Sequence, residues 1–272
     1  MSDIDHHAAA GSRSAVGPSR AALVDGLRAY MLRVYNYMAL GLAITGMAAL
    51  AIYVLSVTGD AADAARIVRN GAELPVAIRS GLFLTPLGYF LFVSPMKWAI
   101  MLAPLALVLV LSFGIGSLRP AAAQVLFWIF AASVGVSLAV IFFVFTQTSI
   151  VRVFFITAAA FGALSLWGYT TARDLSGFGA FLLMGLVGVI LALLANLFLA
   201  SSALQFVISV VGVLVFAGLT AWDTQRLKNE YLFGALDGEA AERSAIVGAL
   251  SLYLNFINLF TLLLQLLGQR DE

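Results

Sequence analysis

The chain of 272 residues has no cysteine, two histidines, six prolines and few charges, with 15 lysines and arginines against 14 acids. Each scarcity excludes something. Without cysteine there is no disulfide, no thiolate nucleophile and no cysteine-based metal site. Both histidines, His6 and His7, stand near the start of the chain. An intramembrane serine protease, which needs a histidine base, and a zinc protease with helical histidine ligands are therefore excluded. Charged residues make up 11% of the chain, against about 25% in soluble domains, too few to clothe an ordinary soluble globule. The net charge of +1 leaves no basic face for nucleic acid.

What remains is mostly hydrocarbon: 62% of the residues are apolar, and the mean hydropathy is +1.01. The charges bracket charge-free runs at 34–59, 98–118, 120–151, 153–172, 175–222 and 244–269. Each is long enough for the ~20 residues that cross ~30 Å of hydrocarbon as a helix. The run Leu175–Trp222 is too long for one helix and carries the small polar pair Ser201-Ser202 near its middle, which marks a helical hairpin. An all-α integral membrane protein follows, a seven-transmembrane-helix bundle with spans near 34–57, 98–118, 120–145, 150–172, 177–200, 203–226 and 244–267.

The bundle is expected over 28–268, after a disordered or amphipathic tail at 1–27 and before a short C-terminal tail at 269–272. A long loop at 58–97 joins the first two spans; its apolar stretch 80–96, broken by Pro86 and Pro95, reads as re-entrant or interfacial. Before the first span, Leu23, Leu27, Tyr30, Val34 and Tyr37 fall at helical spacing. They suit either an amphipathic surface helix or a charged extension of the first span. Seven spans put nine lysines and arginines on the N-terminal side and six on the other, which predicts a cytoplasmic N-terminus. No cleavable signal peptide is expected, because Asp3, Asp5, Arg20, Asp25 and Arg28 interrupt any apolar segment before Val34.

Polar residues inside spans are the candidates for function, because each is costly in hydrocarbon unless it finds a partner or lines a wet cavity. Asp223 is the one acid inside a span, which excludes a two-aspartate intramembrane protease. Lys97 and Lys228 flank spans, so neither can carry a retinal Schiff base. No enzymatic activity and no cofactor are expected. Asp223 reads either as an ion or proton site or as a carboxylate at headgroup level beside Arg226 and Lys228. In the last span Ser251, Asn255, Asn258 and Gln265 share one helical face. That face, and Asn196 in the fifth span, suit interhelical hydrogen bonding or a polar pathway.

Four ordered motifs resemble a known family. Leu27-Arg28-Ala29-Tyr30 through Tyr35-Asn36-Tyr37 resembles the start of the first span of bacterial Bax inhibitor-1-like proteins, the transmembrane Bax inhibitor motif family. Phe161-Gly162-Ala163-Leu164 through Ala172-Arg173-Asp174-Leu175 is similar to its fourth span and the loop after it. Gly218-Leu219-Thr220-Ala221-Trp222-Asp223 and Ser251-Leu252-Tyr253-Leu254-Asn255 resemble its sixth and seventh spans. The resemblance implies a passive, pH-sensitive Ca²⁺ leak in the bacterial inner membrane, with Ca²⁺ as cargo. It also implies that two aspartates share a proton and set whether the pore is open.

Asp223 matches the first of these aspartates and Asn255 stands where the second is expected. Two close carboxylates cannot both ionise easily, whereas an Asp–Asn pair has no such repulsion. Arg119, after the second span, corresponds to an arginine that some relatives tie to the aspartate region. Its first reading is a positive charge that anchors a short loop at the membrane face. Besides the lipid bilayer, the resemblance implies a second class of function, the restraint of a membrane-anchored ATP-dependent protease, engaged in part through the N-terminal tail.

Overall fold

A computed structural model of the protein describes residues 20–69, 72–114, 118–234 and 238–271. The helices are α1 (Arg20–Ser56), α2 (Pro86–Phe92), α3 (Met96–Gly114), α4 (Pro120–Leu138), α5 (Ile141–Val144), α6 (Gln147–Thr170), α7 (Ser176–Leu199), α8 (Ser202–Phe233) and α9 (Gly238–Leu267). Seven among the described residues are long and apolar enough to cross a membrane: α1, α3, α4 continued by α5, and α6 to α9. α9 is the most buried and forms the central post, touching α1, α4, α6 and α8. α3 packs on α4 and α7 on α8 at the periphery, exposing most of their surface to lipid.

Tight crossings need small residues, since lipid gives helices no hydrophobic reason to associate and close packing must do so. At Gly135 a Cβ would strike the backbone carbonyl of Thr45, and at Gly168 that of Ala221. These glycines set the α1/α4 and α6/α8 approaches. Between α1, α4 and α9, the Tyr253 hydroxyl lies 2.6 Å from Thr45 Oγ1, which is itself 2.9 Å from the carbonyls of Gly41 and Ala131. Proline inside α3 has a repaired cost. Pro104 has no N–H for the carbonyl of Ile100, and the Ser137 hydroxyl of α4 donates to that carbonyl at 2.7 Å.

The anticipated hairpin turn falls at Ser201-Ser202. Ala200 closes α7 in the left-handed region at φ 48°, and Ser201 caps α8 by accepting from the Leu204 N–H at 3.3 Å. Several expected boundaries differ. The tail expected over 1–27 is helical from Arg20 onward, because α1 runs unbroken to Ser56 with Leu27, Tyr30, Met31 and Val34 buried against the bundle. Its first turns are an extension of the first span rather than a separate surface helix; residues 1–19 lie outside the described part.

The loop expected over 58–97 is folded. Strands β1 (Val57–Thr58), β4 (Ala77–Arg79) and β5 (Leu82–Leu84) form an antiparallel sheet in the order β1-β5-β4, and β2 (Arg66–Arg69) pairs with β3 (Ala72–Pro75). The stretch 80–96 supplies β5 and the two-turn α2, capped by Thr85 and started by Pro86. It makes no eighth span. α8 continues to Phe233 and α9 begins at Gly238, so both pass the bounds expected from hydropathy.

Candidate functional site

Asp223 lies in the second half of α8, buried at 5% exposure, with both carboxylate oxygens engaged. Asn255 Nδ2 of α9 donates to Oδ2 at 2.7 Å, and Arg226 Nη2 pairs with Oδ1 at 2.8 Å. One helical turn separates Asp223 from Arg226, so the two project from one side of α8. Arg226 also donates to Ser251 Oγ at 3.3 Å and sits over the Trp222 ring at 5.0 Å. The carboxylate is therefore held between an amide donor and a guanidinium, and its charge is compensated within the bundle.

The same carboxylate lines a cavity of about 550 Å³ between α7, α8 and α9. Most of the wall is aliphatic, but one face of α9 supplies Ser251, Asn255, Asn258, Thr261 and Gln265 in succession. At the far end a cluster of carboxamides joins three helices. Gln265 Oε1 accepts from Gln205 Nε2 at 2.6 Å and from Ser209 Oγ at 2.9 Å. Gln205 Oε1 accepts from Asn196 Nδ2 at 3.0 Å, and Asn196 Oδ1 accepts from the Ser201 N–H at 3.0 Å. A polar stripe thus runs from Asp223 near one membrane face to the α7/α8 turn near the other.

Of the residues singled out from sequence, Asp223, Asn255 and Ser251 come together directly. Asn258 lines the cavity between the two ends while donating to the Leu254 carbonyl at 2.8 Å. Asn196 belongs to the distant carboxamide cluster. Arg119 stands apart: it is exposed at the N-cap of α4, makes no ion pair with a described acid, and leaves Asp223 to Arg226. The position three residues after Asp223 was the signal for Arg226.

Gln225 was missed. It accepts from the Leu175 N–H at 2.8 Å and donates to the Arg173 carbonyl at 2.7 Å, tying the α6/α7 loop to α8. Gln205 was missed as well, because a lone glutamine early in an apolar helix carries no periodic signal. Among the described residues no group of three acids or histidines converges. Asp223 with neutral oxygens around it could offer a divalent cation only an open, low-charge site.

A seven-helix membrane bundle with one buried carboxylate, paired across its last two helices, defines the class of protein. The sequence matches the family described as Inhibitor of apoptosis-promoting Bax1 over residues 27–272, and the chain belongs to that family. It is 42% identical over 248 residues to an uncharacterized protein of Rickettsia prowazekii, covering 91% of this chain and 92% of that one. It is 42% identical over 246 residues to the inner membrane protein YbhL of Escherichia coli, covering 90% and 93%. An uncharacterized protein of Deinococcus radiodurans is 38% identical over 248 residues, covering 91% and 94%.

Proposed function

We propose that the protein is a passive cation pathway of the bacterial inner membrane, suited to Ca²⁺, with Asp223 as the ion site and no enzymatic turnover. The supporting observation is the polar stripe that lines a cavity from Asp223 to Gln265. A carboxylate, hydroxyls and amide oxygens are hard ligands of the kind Ca²⁺ takes. YbhL is an inner membrane protein, and the excess of cations on the N-terminal side favours a cytoplasmic N-terminus.

On this reading the described conformation is closed, with Arg226 on the carboxylate. Arg226 on Oδ1 competes with an entering cation for Asp223, because two positive groups at one carboxylate repel each other. Arg226 has somewhere to go, since 40% of its side chain is exposed. The carboxamide cluster of Asn196, Gln205 and Gln265 stands at the other end. Being uncharged at all working pH, it sets no proton dependence of its own.

With Asn255 in place of a second acid, modulation by pH does not run through a shared proton. Proteoliposomes with a trapped calcium dye test this reading. Asp223→Asn should lower the flux at least tenfold, and Asn255→Asp should change the pH dependence of the flux relative to the wild type. A flux unaltered by both changes excludes the pathway.

A further inference from the structure

The second large cavity lies on the opposite side of α9 and has no part in the Asp223 site. α1 and α6 flank a lateral groove of about 690 Å³ whose floor includes Phe256 of α9. Beyond Leu42, Phe154 and Phe256 it continues into a second apolar recess of about 270 Å³. The walls are apolar and rich in small residues. Gly162 on α6 and Gly46 on α1 face open space, with no atom within 4 Å of where a Cβ would stand.

One end is different in chemistry. Arg28 lines the groove there, exposed and without an ion pair to any described acid. Tyr169 lines it too. Lys228 packs on Tyr169, with Nζ 5.6 Å from the ring and donating to its carbonyl at 2.8 Å. Arg28 and Tyr169 thus line one mouth, where the helices leave the hydrocarbon, with the Lys228 ammonium against Tyr169. The Tyr35 hydroxyl, 2.5 Å from Ser165 Oγ, is occupied within the bundle, as Ser165 in turn lies 2.9 Å from Thr224 Oγ1. The polar groups deeper in the groove are therefore satisfied, and only the mouth carries free charge.

The geometry points to the α1/α6 groove as a binding site for an acyl chain of an anionic phospholipid, with Arg28 and Lys228 holding its phosphate. The 15 residues from Arg28 to Leu42 rise about 21 Å along α1, enough for one leaflet's acyl chain, about 15 Å in a core of about 30 Å, with the headgroup level at the Arg28 end. A transmembrane helix of a partner would also cover apolar wall. It gives no reason for two cations without an ion pair to any described acid beside the mouth, whereas an anionic headgroup does.

Native mass spectrometry of the delipidated full chain in detergent, titrated with phosphatidylglycerol or phosphatidylcholine of the same acyl chains, tests the assignment. Each cation should contribute about fivefold in affinity, so phosphatidylglycerol should bind more than tenfold tighter than phosphatidylcholine. Arg28→Gln should remove about fivefold of that preference. Gly162→Leu, whose Cβ would meet no protein atom within 4 Å, should weaken both lipids. Gly188→Leu, an equally open position on α7, should change neither. Equal retention of the two lipids, an unaltered preference in Arg28→Gln, or a second protein chain displaced by Gly162→Leu in place of lipid would each overturn it.

Discussion

At the scale of single residues, the molecule turns on how one buried carboxylate is neutralised. Asp223 is compensated by Arg226 on its own helix and by the amide of Asn255 on the next. Removing the cation leaves a charge in a low-dielectric site. The cost of 3–5 kcal/mol typical of a fully buried pair falls to about 2 kcal/mol here, because Arg226 is part-exposed. Arg226→Gln is expected to lower the unfolding temperature in detergent, and Asp223→Asn in the same chain to restore most of the loss. If the double variant is less stable than the single one, the pair is not what holds Asp223 in place.

Much of this site was legible in the sequence. Asp223 stood out because acids are rare inside spans, and Ser251, Asn255, Asn258 and Gln265 because a helix of 3.6 residues per turn puts them on one face. The identity of the cation was less legible. Arg119 and Arg226 both border a span in the linear pattern, and only the packing of α8 on α9 decides which reaches the carboxylate.

At the scale of elements, two local solutions carry their own tests. Pro104 deprives the Ile100 carbonyl of its partner in α3, and Ser137 of α4 supplies one. Ser137→Ala should cost about 1 kcal/mol, the worth of an interhelical hydrogen bond in a membrane. In a Pro104→Ala background the helix satisfies that carbonyl itself, so the same change should cost close to nothing. Equal costs in both backgrounds would disprove the repair.

Ala200 ends α7 with φ 48°, a conformation that costs an alanine about 1 kcal/mol and a glycine little. Ala200→Gly should raise the unfolding temperature by a few degrees. A neutral or lower value would show that the turn is held by Ser201 and Asn196 alone. Hydropathy located the hairpin but not its capping. It also shortened α1, α8 and α9, whose polar ends stay helical because their inner faces are buried against neighbours, a tertiary effect that no window over the sequence registers.

At the scale of the whole molecule, α9 is the post around which the other spans are arranged, and its two sides serve different environments. One faces the cavity between α7, α8 and α9, with the polar stripe. The other floors the lipid-facing groove between α1 and α6. Outside the hydrocarbon, the folded connection of strands between α1 and α3 meets the C-terminal end through the ion pair of Arg79 with Asp271. Its strands escaped the hydropathy reading because they are only two to four residues long, and short antiparallel pairs leave no periodic signal.

If Arg226 holds Asp223 shut against a cation, Ca²⁺ flux into proteoliposomes at fixed pH, for Asp223→Asn and Arg226→Gln side by side, reports it directly. The two changes remove opposite ends of one ion pair. Opposite signs are expected: at least a tenfold fall for Asp223→Asn and a severalfold rise for Arg226→Gln. A fall in both, or no change in either, would contradict it.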